Sequence, residues 1–406
     1  MTTRYGRSPW VDRIPSSRVP AYRSHRGSVS AEVAIVGGGL TGCATAYAFA
    51  AAGIKVALLE AGRLGRGSSG SSSGWISEDP GTRFLEAEKV LRLRAARHVW
   101  RSWRRASLDF AALVRRLRLK CDFEPRSTVL LATTPDEAAT MKREQKARKA
   151  AGLEIAGLSA KAIMAETGIE AADGLRLRDG ATADPYRIAI GLARAAEARG
   201  ALVFERSQVR RIKFKSKHVD VTTAAGVLRA ERVIVATGMP TELFKSLKRH
   251  IRFRSRFFAL TEPVPVKVRR DLGRRASVVR DASDPAHTVR WVGRDQLLVS
   301  GADSELVSPR SLEKTVYQRT GQLMYELSTL YPDISGLRPA YGWEASYGRT
   351  VSGLPSIGPH RNFPRHLFAF GDSSGGITGA YLASRILLRH HMDELEPADH
   401  VFGFNR

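Results

Sequence analysis

Residues 32–60 constrain the fold more than any other part of this sequence. They contain a pattern in which an apolar strand leads through a glycine-rich turn into a helix, and a second strand then ends in an acid. The pattern consists, in order, of the apolar run 33–36, Gly37-Gly38-Gly39-Leu40-Thr41-Gly42, the small-residue run 43–52, the apolar run 55–59 and Glu60. Such a unit predicts two parallel strands joined by a crossover helix.

The spacing of these glycines and of the acid has a chemical reason. Glycines at the first turn let the backbone approach a pyrophosphate closely, and the helix amino terminus supplies free N–H groups and a positive dipole end. An acid about 20 residues further on reaches the ribose hydroxyls. A tight turn without a nucleotide is the alternative, which the complete ordered pattern disfavours. The predicted dinucleotide contacts are Gly37, Gly38, Gly39, Leu40, Thr41, Gly42 and Glu60.

A loop rich in glycine and serine, residues 61–76, follows the acid directly. A flexible linker is one interpretation of such a composition. Its position instead resembles the D-amino-acid oxidase/glycine oxidase superfamily of FAD-dependent oxidoreductases, in which a similar loop passes along the diphosphate towards the flavin ring. Members of that family often carry an Arg-Asn pair there, whereas this chain has a serine run. The resemblance implies FAD contacts from Ala61, Arg66, Ser68 and Ser69.

The carboxyl-terminal block, residues 342–391, also resembles this family. An apolar strand at 367–370 leads into a glycine-rich turn and a helix, which is an arrangement that favours anions. In the family, such a turn places backbone N–H groups and the helix dipole at the flavin N1/C2 carbonyl. A ligand-free turn is the alternative. The resemblance implies cofactor contacts from Gly371, Gly375, Gly376, Ile377 and Thr378.

The middle of the chain adds weaker features of the same kind. Asp184-Pro185 predicts a helix start, and a helix at 186–199 with a strand at 201–205 is consistent with a crossover unit. The resemblance places the segment near Val209 against the adenine. A buried strand at 232–238 ends in small residues that let the backbone pass under a ligand. Cofactor contacts are therefore expected from Ala236, Thr237 and Gly238.

The predicted fold class is α/β. The resemblance implies a Rossmann-like FAD-binding domain of the GR2 type and a substrate domain built on a mostly antiparallel β-sheet. Further expected elements are amphipathic helices within 78–120, a strand at 126–132, and helices at 136–151 and 312–331. The predicted division of the chain is an extended arm at 1–30 lying on the protein surface, a discontinuous FAD-binding domain at 31–95, 176–244 and 341–395, a substrate domain at 96–175 and 245–340, and a tail at 396–406.

Composition bounds the remaining possibilities. The 406 residues contain two cysteines, Cys43 and Cys121, which suits a reducing compartment and excludes a four-cysteine zinc cluster. No histidine pair has metal-ligand spacing, so no metal is expected. The basic, proline-containing first 30 residues lack the apolar core of a signal peptide, and no apolar run is long enough to span a membrane. We therefore expect a cytoplasmic protein.

The formal net charge of +25 is the unusual feature of the composition. Residues 91–120 contain ten Lys/Arg and the single acid Asp109, and 245–256 is another basic cluster. The arginines of 91–120 alternate with an apolar stripe at helical spacing, which favours a solvated helix face over a polyanion site. No nucleic-acid-binding motif is present, and no specific nucleic-acid partner is expected. An acidic partner, or steering of an anionic substrate, stays open.

The family reaction, by resemblance, is oxidation of an amine or amino acid at a C–N bond. Hydride passes to flavin N5 and leaves an imine that hydrolyses, with non-covalent FAD as cofactor and oxygen or an electron carrier as acceptor. No catalytic residue is nominated, because this reaction needs little acid–base machinery. Alternatives are an NAD(P)-dependent dehydrogenase and a basic binding protein on a flavoprotein fold. The candidate substrate residues are Arg290 and Arg254, which could pair with a carboxylate, and Trp343 and Tyr347, which could line the pocket.

Overall fold

The computed structural model describes residues 2–371 and 376–404. Gly375, which the sequence predicts to contact the cofactor, lies outside these residues. The α-helices of the described chain are α1 (Pro9–Asp12), α2 (Leu40–Ala51), α3 (Phe84–Arg116), α4 (Pro135–Ala150), α5 (Ala160–Thr167), α6 (Pro185–Glu197), α7 (Val266–Asp271), α8 (Leu312–Leu330) and α9 (Gly376–Met392).

The strands fall into two large sheets and a small three-stranded one. Their bounds are β1 (Arg4–Tyr5), β2 (Gly27–Val36), β3 (Val56–Leu59), β4 (Trp75–Ile76), β5 (Glu124–Pro125), β6 (Ser127–Ala132), β7 (Ala156–Leu158), β8 (Asp173–Leu177), β9 (Ala181–Thr182), β10 (Leu202–Phe204), β11 (Arg211–Phe214), β12 (Val219–Thr222), β13 (Gly226–Gly238), β14 (Ile251–Thr261), β15 (Ser277–Arg280), β16 (Thr288–Val292), β17 (Gln296–Glu305), β18 (Pro339–Thr350), β19 (Ser356–His360) and β20 (Phe363–Phe370).

The first large sheet has the parallel core that the sequence predicts. Strands β10, β3, β2, β13 and β20 are neighbours in that order and all pair in parallel. Helices α2, α6 and α9 pack together on one face, and the many small residues of α2 are almost all buried there. Small side chains let a helix approach a sheet closely, so this stretch can lie between the sheet and its neighbouring helices.

The second large sheet forms the roof over the first. Its order is β1-β18-β14-β17-β16-β15-β6-β8-β7, and only the β1–β18 and β15–β6 pairs are parallel in the described chain. Helix α8 packs on this sheet through Val316, Leu323 and Leu327. Strand β18, which lies mostly in the segment 341–395 of the predicted nucleotide domain, pairs with β14 along its length in the roof sheet.

Helix α3 has the buried and solvated faces that its sequence predicts. Trp100, Trp103 and Phe110 are buried, while most of the arginines are exposed. Leu93 departs from the predicted apolar stripe, since it is 45% exposed. The reason is a kink at Arg92, which has φ 69° and turns the first segment of the helix away from the line of the second.

The amino-terminal arm lies on the protein but is more than a surface strand. Strand β1 pairs with β18, and the arm side chains Trp10 and Tyr22 are only 7% and 6% exposed. The arm is therefore tied into the roof by backbone and side-chain contacts. No helix in the described chain is long and apolar enough to cross a membrane.

Candidate functional site

The glycine turn between β2 and α2 lies at the carboxyl edge of the parallel sheet. Gly37 has φ +107°, and a Cβ there would lie 2.7 Å from the carbonyl oxygen of Ala236. A Cβ on Gly42 would clash with the carbonyl oxygen of Gly37, and one on Gly38 would clash with Leu64. Side chains are therefore excluded from this turn, and its backbone can approach a ligand.

Glu60 is held beside this turn by backbone donors. Its Oε2 accepts from the Gly38 N–H at 2.7 Å, and its Oε1 accepts from the Gly62 N–H at 2.7 Å. The carboxylate therefore lies beside the amino terminus of α2, where the helix dipole favours a negative charge. Ala61, next along the chain, is exposed.

The loop after Glu60 contains eight consecutive glycine and serine residues, 67–74, which we call the serine loop. Ser69 Oγ accepts from the Leu40 N–H at 2.8 Å and so caps the start of α2. Ser68 Oγ donates to the carbonyl of Ser346 at 2.6 Å, while Arg66 is exposed. Ser72 Oγ is buried and has no hydrogen-bond partner among the described residues.

A dinucleotide cleft of ≈ 110 Å³ runs between the glycine turn, the serine loop and the start of α9. Residues from five separated parts of the sequence line it, including Leu40, Ser69, Thr237, Tyr347, Gly371 and Ile377. Gly371 has φ +87°, and its N–H donates to the carbonyl of Gly238 at 3.1 Å. The fold thus brings the two glycine-rich turns of the sequence together.

The other predicted cofactor residues differ in their contacts. Thr237 Oγ1 donates to the carbonyl of Met239 at 2.7 Å, and Thr378 Oγ1 donates to that of Ser77 at 2.8 Å. Both side chains therefore bond within the protein. Ala236 is buried at the end of β13, and Val209 is half-buried against the apolar cluster on the far face of the parallel sheet.

Glu205 is a functional candidate that the sequence reasoning missed. It follows β10 and is fully buried. It accepts from the Leu64 N–H at 2.9 Å and pairs with Arg63 at 2.8 Å, so it fixes the segment that leads into the serine loop. The sequence feature that could have identified Glu205 is its position as an acid at the end of a predicted strand.

A larger cavity of ≈ 410 Å³, here called the roof cavity, adjoins the dinucleotide cleft. Ser68, Ser72, Tyr347 and Ile377 line both spaces, so the two are continuous at this junction. The walls of the roof cavity contain a set of large apolar side chains, namely Trp75, Leu130, Met141, Leu175, Leu177 and Phe258. A space of this kind suits a small, partly apolar ligand.

Arg280, at the end of β15, lines the roof cavity. Its Nη2 donates to the carbonyl of Gly81 at 3.0 Å, and its guanidinium lies 5.7 Å from the centre of the Trp75 ring. Its Nη1 is buried without a hydrogen-bond partner in the described chain. Burial, and then the neighbouring charge of Arg256, lower the pKa of Arg280 to about 10, so the group stays a cation at neutral pH and favours an anionic partner.

Arg256 also lines the roof cavity but already has a carboxylate partner. Its Nε and Nη2 donate to the two oxygens of Asp303 at 2.8 and 2.9 Å. The Tyr347 hydroxyl donates to the same carboxylate at 2.5 Å, and burial raises the pKa of Tyr347 to about 12. This network holds the Tyr347 ring at the junction with the dinucleotide cleft.

The predicted substrate residues divide by position. Tyr347 lines the roof cavity, whereas Arg254, Arg290 and Trp343 do not belong to its lining in the described chain. Arg254 pairs with Glu305 at 2.7 Å on the exposed side of the roof. Arg290 is 4% exposed and donates to three backbone carbonyls, while Trp343 donates to a fourth. The contacts of Arg290 and Trp343 are those of structural residues.

Arg280 was missed because its sequence context looks ordinary. Two valines precede it on a short strand, and a cis-proline turn follows at residues 284–285. The sequence feature that could have identified Arg280 is its position at the end of an apolar run in the predicted roof. The described residues contain no group of His, Cys, Asp and Glu arranged to hold a metal ion.

Comparison with known proteins decides which dinucleotide fits the cleft. The family model for FAD dependent oxidoreductases, known as DAO, matches residues 32–389. The chain belongs to this FAD-dependent oxidoreductase family. The cofactor is FAD, and the NAD(P)-dependent alternative is wrong, because the matched family is FAD-dependent.

The sequences of two relatives align with most of this chain. Gamma-glutamylputrescine oxidoreductase from Escherichia coli (strain K12) is 26% identical over 367 residues, which are 89% of this chain and 83% of the relative. Glycine oxidase from Bacillus licheniformis is 26% identical over 382 residues, which are 87% of this chain and 92% of the relative. The flavoenzyme is thus similar along nearly its whole length to oxidoreductases of this family.

Solved structures show the same fold. Glycine oxidase from Geobacillus kaustophilus superposes with a TM-score of 0.77 at 20% identity and covers 93% of this chain and 99% of its own. L-amino acid deaminase from Proteus myxofaciens gives a TM-score of 0.78 at 14% identity, with 96% of each chain covered. The combination of a Rossmann-like nucleotide domain with a roof sheet is confirmed.

The residues of the dinucleotide cleft fit FAD. The glycine turn is closed to side chains, Glu60 is held beside the start of α2, and Ser68, Ser69 and Ser72 of the serine loop line the cleft. Residues 37–42, the serine loop and the start of α9 would hold the cofactor.

Proposed function

We propose that this flavoenzyme oxidises the C–N bond of a small amine that carries a carboxylate, with hydride transfer to flavin N5 and an imine product that hydrolyses. The observation that carries the proposal is Arg280, a cation that lines the roof cavity and whose Nη1 is buried without a partner among the described residues. A guanidinium binds a carboxylate well because its planar fork matches the two oxygens. An amino acid is therefore a better fit than a simple amine.

The residues around Arg280 indicate where each end of the proposed substrate would bind in the roof cavity. Arg256 is neutralised by Asp303, so the two arginines do not compete for the substrate anion. With the carboxylate at Arg280, the amine end lies towards the junction that Tyr347, Ser72 and Ile377 line. The bound flavin supplies the hydride acceptor.

The apolar walls contribute by excluding water. A low-dielectric surrounding disfavours the ammonium form of an amine, and oxidation requires the neutral amine. Leu130, Leu175 and Phe258 form part of this wall. Two relatives, glycine oxidase and gamma-glutamylputrescine oxidoreductase, have names that refer to amines, which supports the reaction class.

The test pairs amino acids with the amines that lack their carboxylate. The purified holoprotein is mixed anaerobically with glycine or methylamine, sarcosine or dimethylamine, and proline or pyrrolidine, and loss of the visible flavin absorption is recorded. We expect bleaching by at least one amino acid and a much slower reaction with its partner amine. Readmission of air then distinguishes oxygen from an electron carrier as the acceptor.

Arg280→Gln tests the role of the arginine directly. Loss of a charge-assisted hydrogen bond predicts a rise in KM for the amino acid of about tenfold to a hundredfold, with little change for the partner amine. Arg254→Gln is the matched control, because it removes an arginine that pairs with Glu305 outside the cavity. Equal bleaching by amino acid and amine, or a KM unaffected by Arg280→Gln, would refute the carboxylate assignment.

Other expectations from the sequence stay predictions. They are non-covalent attachment of FAD, a cytoplasmic location, the absence of a specific nucleic-acid partner, and the division of the chain into domains. The alternative of a basic binding protein is set aside, because the chain belongs to a family of FAD-dependent oxidoreductases.

A further inference from the structure

The serine loop has an unusual set of hydrogen bonds to its carbonyl groups. Four consecutive carbonyls, those of residues 70–73, each accept from a different side chain outside the loop. Ser8 Oγ donates to Gly70, Trp343 Nε1 to Ser71 at 2.8 Å, Trp10 Nε1 to Ser72 at 2.9 Å, and Arg290 Nε to Ser73 at 2.6 Å. We call these four donors the loop clasp.

The loop clasp comes from two distant parts of the sequence. Ser8 and Trp10 lie on the amino-terminal arm, while Arg290 and Trp343 lie on the roof strands β16 and β18. None of the four lines the dinucleotide cleft or the roof cavity in the described chain. They therefore hold the loop without lining the ligand spaces themselves.

The donors also support one another. The Arg290 guanidinium lies 5.0 Å from the centre of the Trp10 ring, and both tryptophans belong to one apolar cluster. Trp343 stacks on Phe258, with ring centres 5.2 Å apart, and Phe258 lines the roof cavity. The clasp is thus a packed unit that joins the arm, the roof and the loop.

The sequence of the loop explains why outside donors are needed. A run of eight glycine and serine residues has high conformational entropy in the free chain and little intrinsic structure. The bonded carbonyls fix the backbone of residues 70–73, and Ser72 itself lines both ligand spaces. A loop ordered before the ligand arrives binds more tightly, because the ordering entropy is not lost on binding.

We propose that the loop clasp orders the serine loop for FAD, so that Ser8, Trp10, Arg290 and Trp343 are positioning residues that set FAD affinity without touching the cofactor. This inference rests on the cofactor and does not depend on the proposed substrate. It also gives the amino-terminal arm a function, since half of the clasp comes from the arm.

The test is the dissociation constant of FAD for the apoprotein, measured by quenching of flavin fluorescence. Trp10→Phe and Trp343→Phe each keep an aromatic ring but remove one N–H donor. We expect each to raise the dissociation constant about threefold to tenfold, and the double variant to raise it about tenfold to a hundredfold. Amide hydrogen exchange at residues 68–73 of the apoprotein should become faster in the same order.

Trp103→Phe is the matched control. Trp103 is fully buried in another core cluster, and its Nε1 has no hydrogen-bond partner in the described chain. It is expected to lower the melting temperature through lost packing while FAD affinity stays within about twofold of wild type. If Trp10→Phe and Trp343→Phe bind FAD as wild type does, or if Trp103→Phe weakens FAD as much as they do, the proposal is wrong.

Discussion

Two glycine-rich segments face the same dinucleotide cleft but are held in different ways. The turn at residues 37–42 has its shape imposed by its own backbone, since side chains at Gly37, Gly38 or Gly42 would meet neighbouring atoms. The serine loop at residues 67–74 depends on side chains from the arm and the roof. A motif of the first kind can be recognised from a short window of sequence, whereas one of the second kind cannot.

The largest expected effect comes from substituting within the first segment. Gly42→Val places a branched side chain against the carbonyl of Gly37, and we expect a loss of about 3 kcal/mol or more in the free energy of unfolding, together with loss of FAD binding. Gly67→Ala is the matched change in the serine loop, where a Cβ meets nothing within 4 Å among the described residues. Urea unfolding and FAD titration measure the stability and FAD affinity of both variants. Similar losses in the two variants would contradict the proposed difference between the two segments.

A second prediction concerns the roof strand that supplies Arg290. His287 precedes β16; its Nδ1 bonds Asp281 at 2.7 Å, and its Nε2 lies 3.1 Å from Glu326 on α8. These two bonds, the one to Asp281 first, raise the pKa of His287 to about 10. A raised pKa stabilises the fold fully below the ordinary value near pH 6.5, and this stability is lost as pH rises through about 10.

His287→Gln should therefore remove stability that depends on pH. Allowing for partial exposure of the group, we expect a loss of about 1–2 kcal/mol at pH 6 that shrinks towards zero near pH 10. Urea unfolding of wild type and variant from pH 6 to pH 10 checks this. A difference that stays constant across the range would show that the histidine acts through packing alone.

The smallest effect is expected at Ser72. A substitution there distinguishes a contribution to loop stability from a contribution to FAD binding. Ser72→Ala removes a buried hydroxyl without a partner among the described residues, so apoprotein stability should change by less than about 0.5 kcal/mol. FAD affinity should fall about threefold, because a contact to the cofactor is lost. Unchanged affinity would mean that this hydroxyl does not contact the cofactor.

Much of the nucleotide domain could be predicted because its patterns are local. The strands at 33–36 and 55–59, the intervening helix and the later strand at 232–238 are all present, although α2 begins at Leu40, three residues before the predicted start. The glycines could not mark the helix start, since Gly42 lies inside the first turn of the helix. The roof could be predicted as a mostly antiparallel sheet, but not the membership of β18, which is decided by pairing with β14.

Two arginines of the roof, Arg280 and Arg290, show most clearly what could not be predicted from the sequence. Arg280 and Arg290 lie on the adjacent strands β15 and β16, and each directly follows a valine in the sequence. Arg280 lines the roof cavity and has an Nη1 without a partner among the described residues, whereas Arg290 donates to the backbone carbonyls of residues 73, 183 and 291. Which one is available depends on the loops that fold against each strand.

The sequence by itself determined the dinucleotide-binding unit, because its strands, glycines and acid lie within about 30 residues of one another, and resemblance to a known family then implied FAD. Only the tertiary structure decided which arginine faces the cavity, how the serine loop is held, and why the arm is buried. The physical reason is that each of these depends on side chains that are hundreds of residues apart in the chain, as Trp10 and Trp343 are, and that meet only when both sheets are assembled.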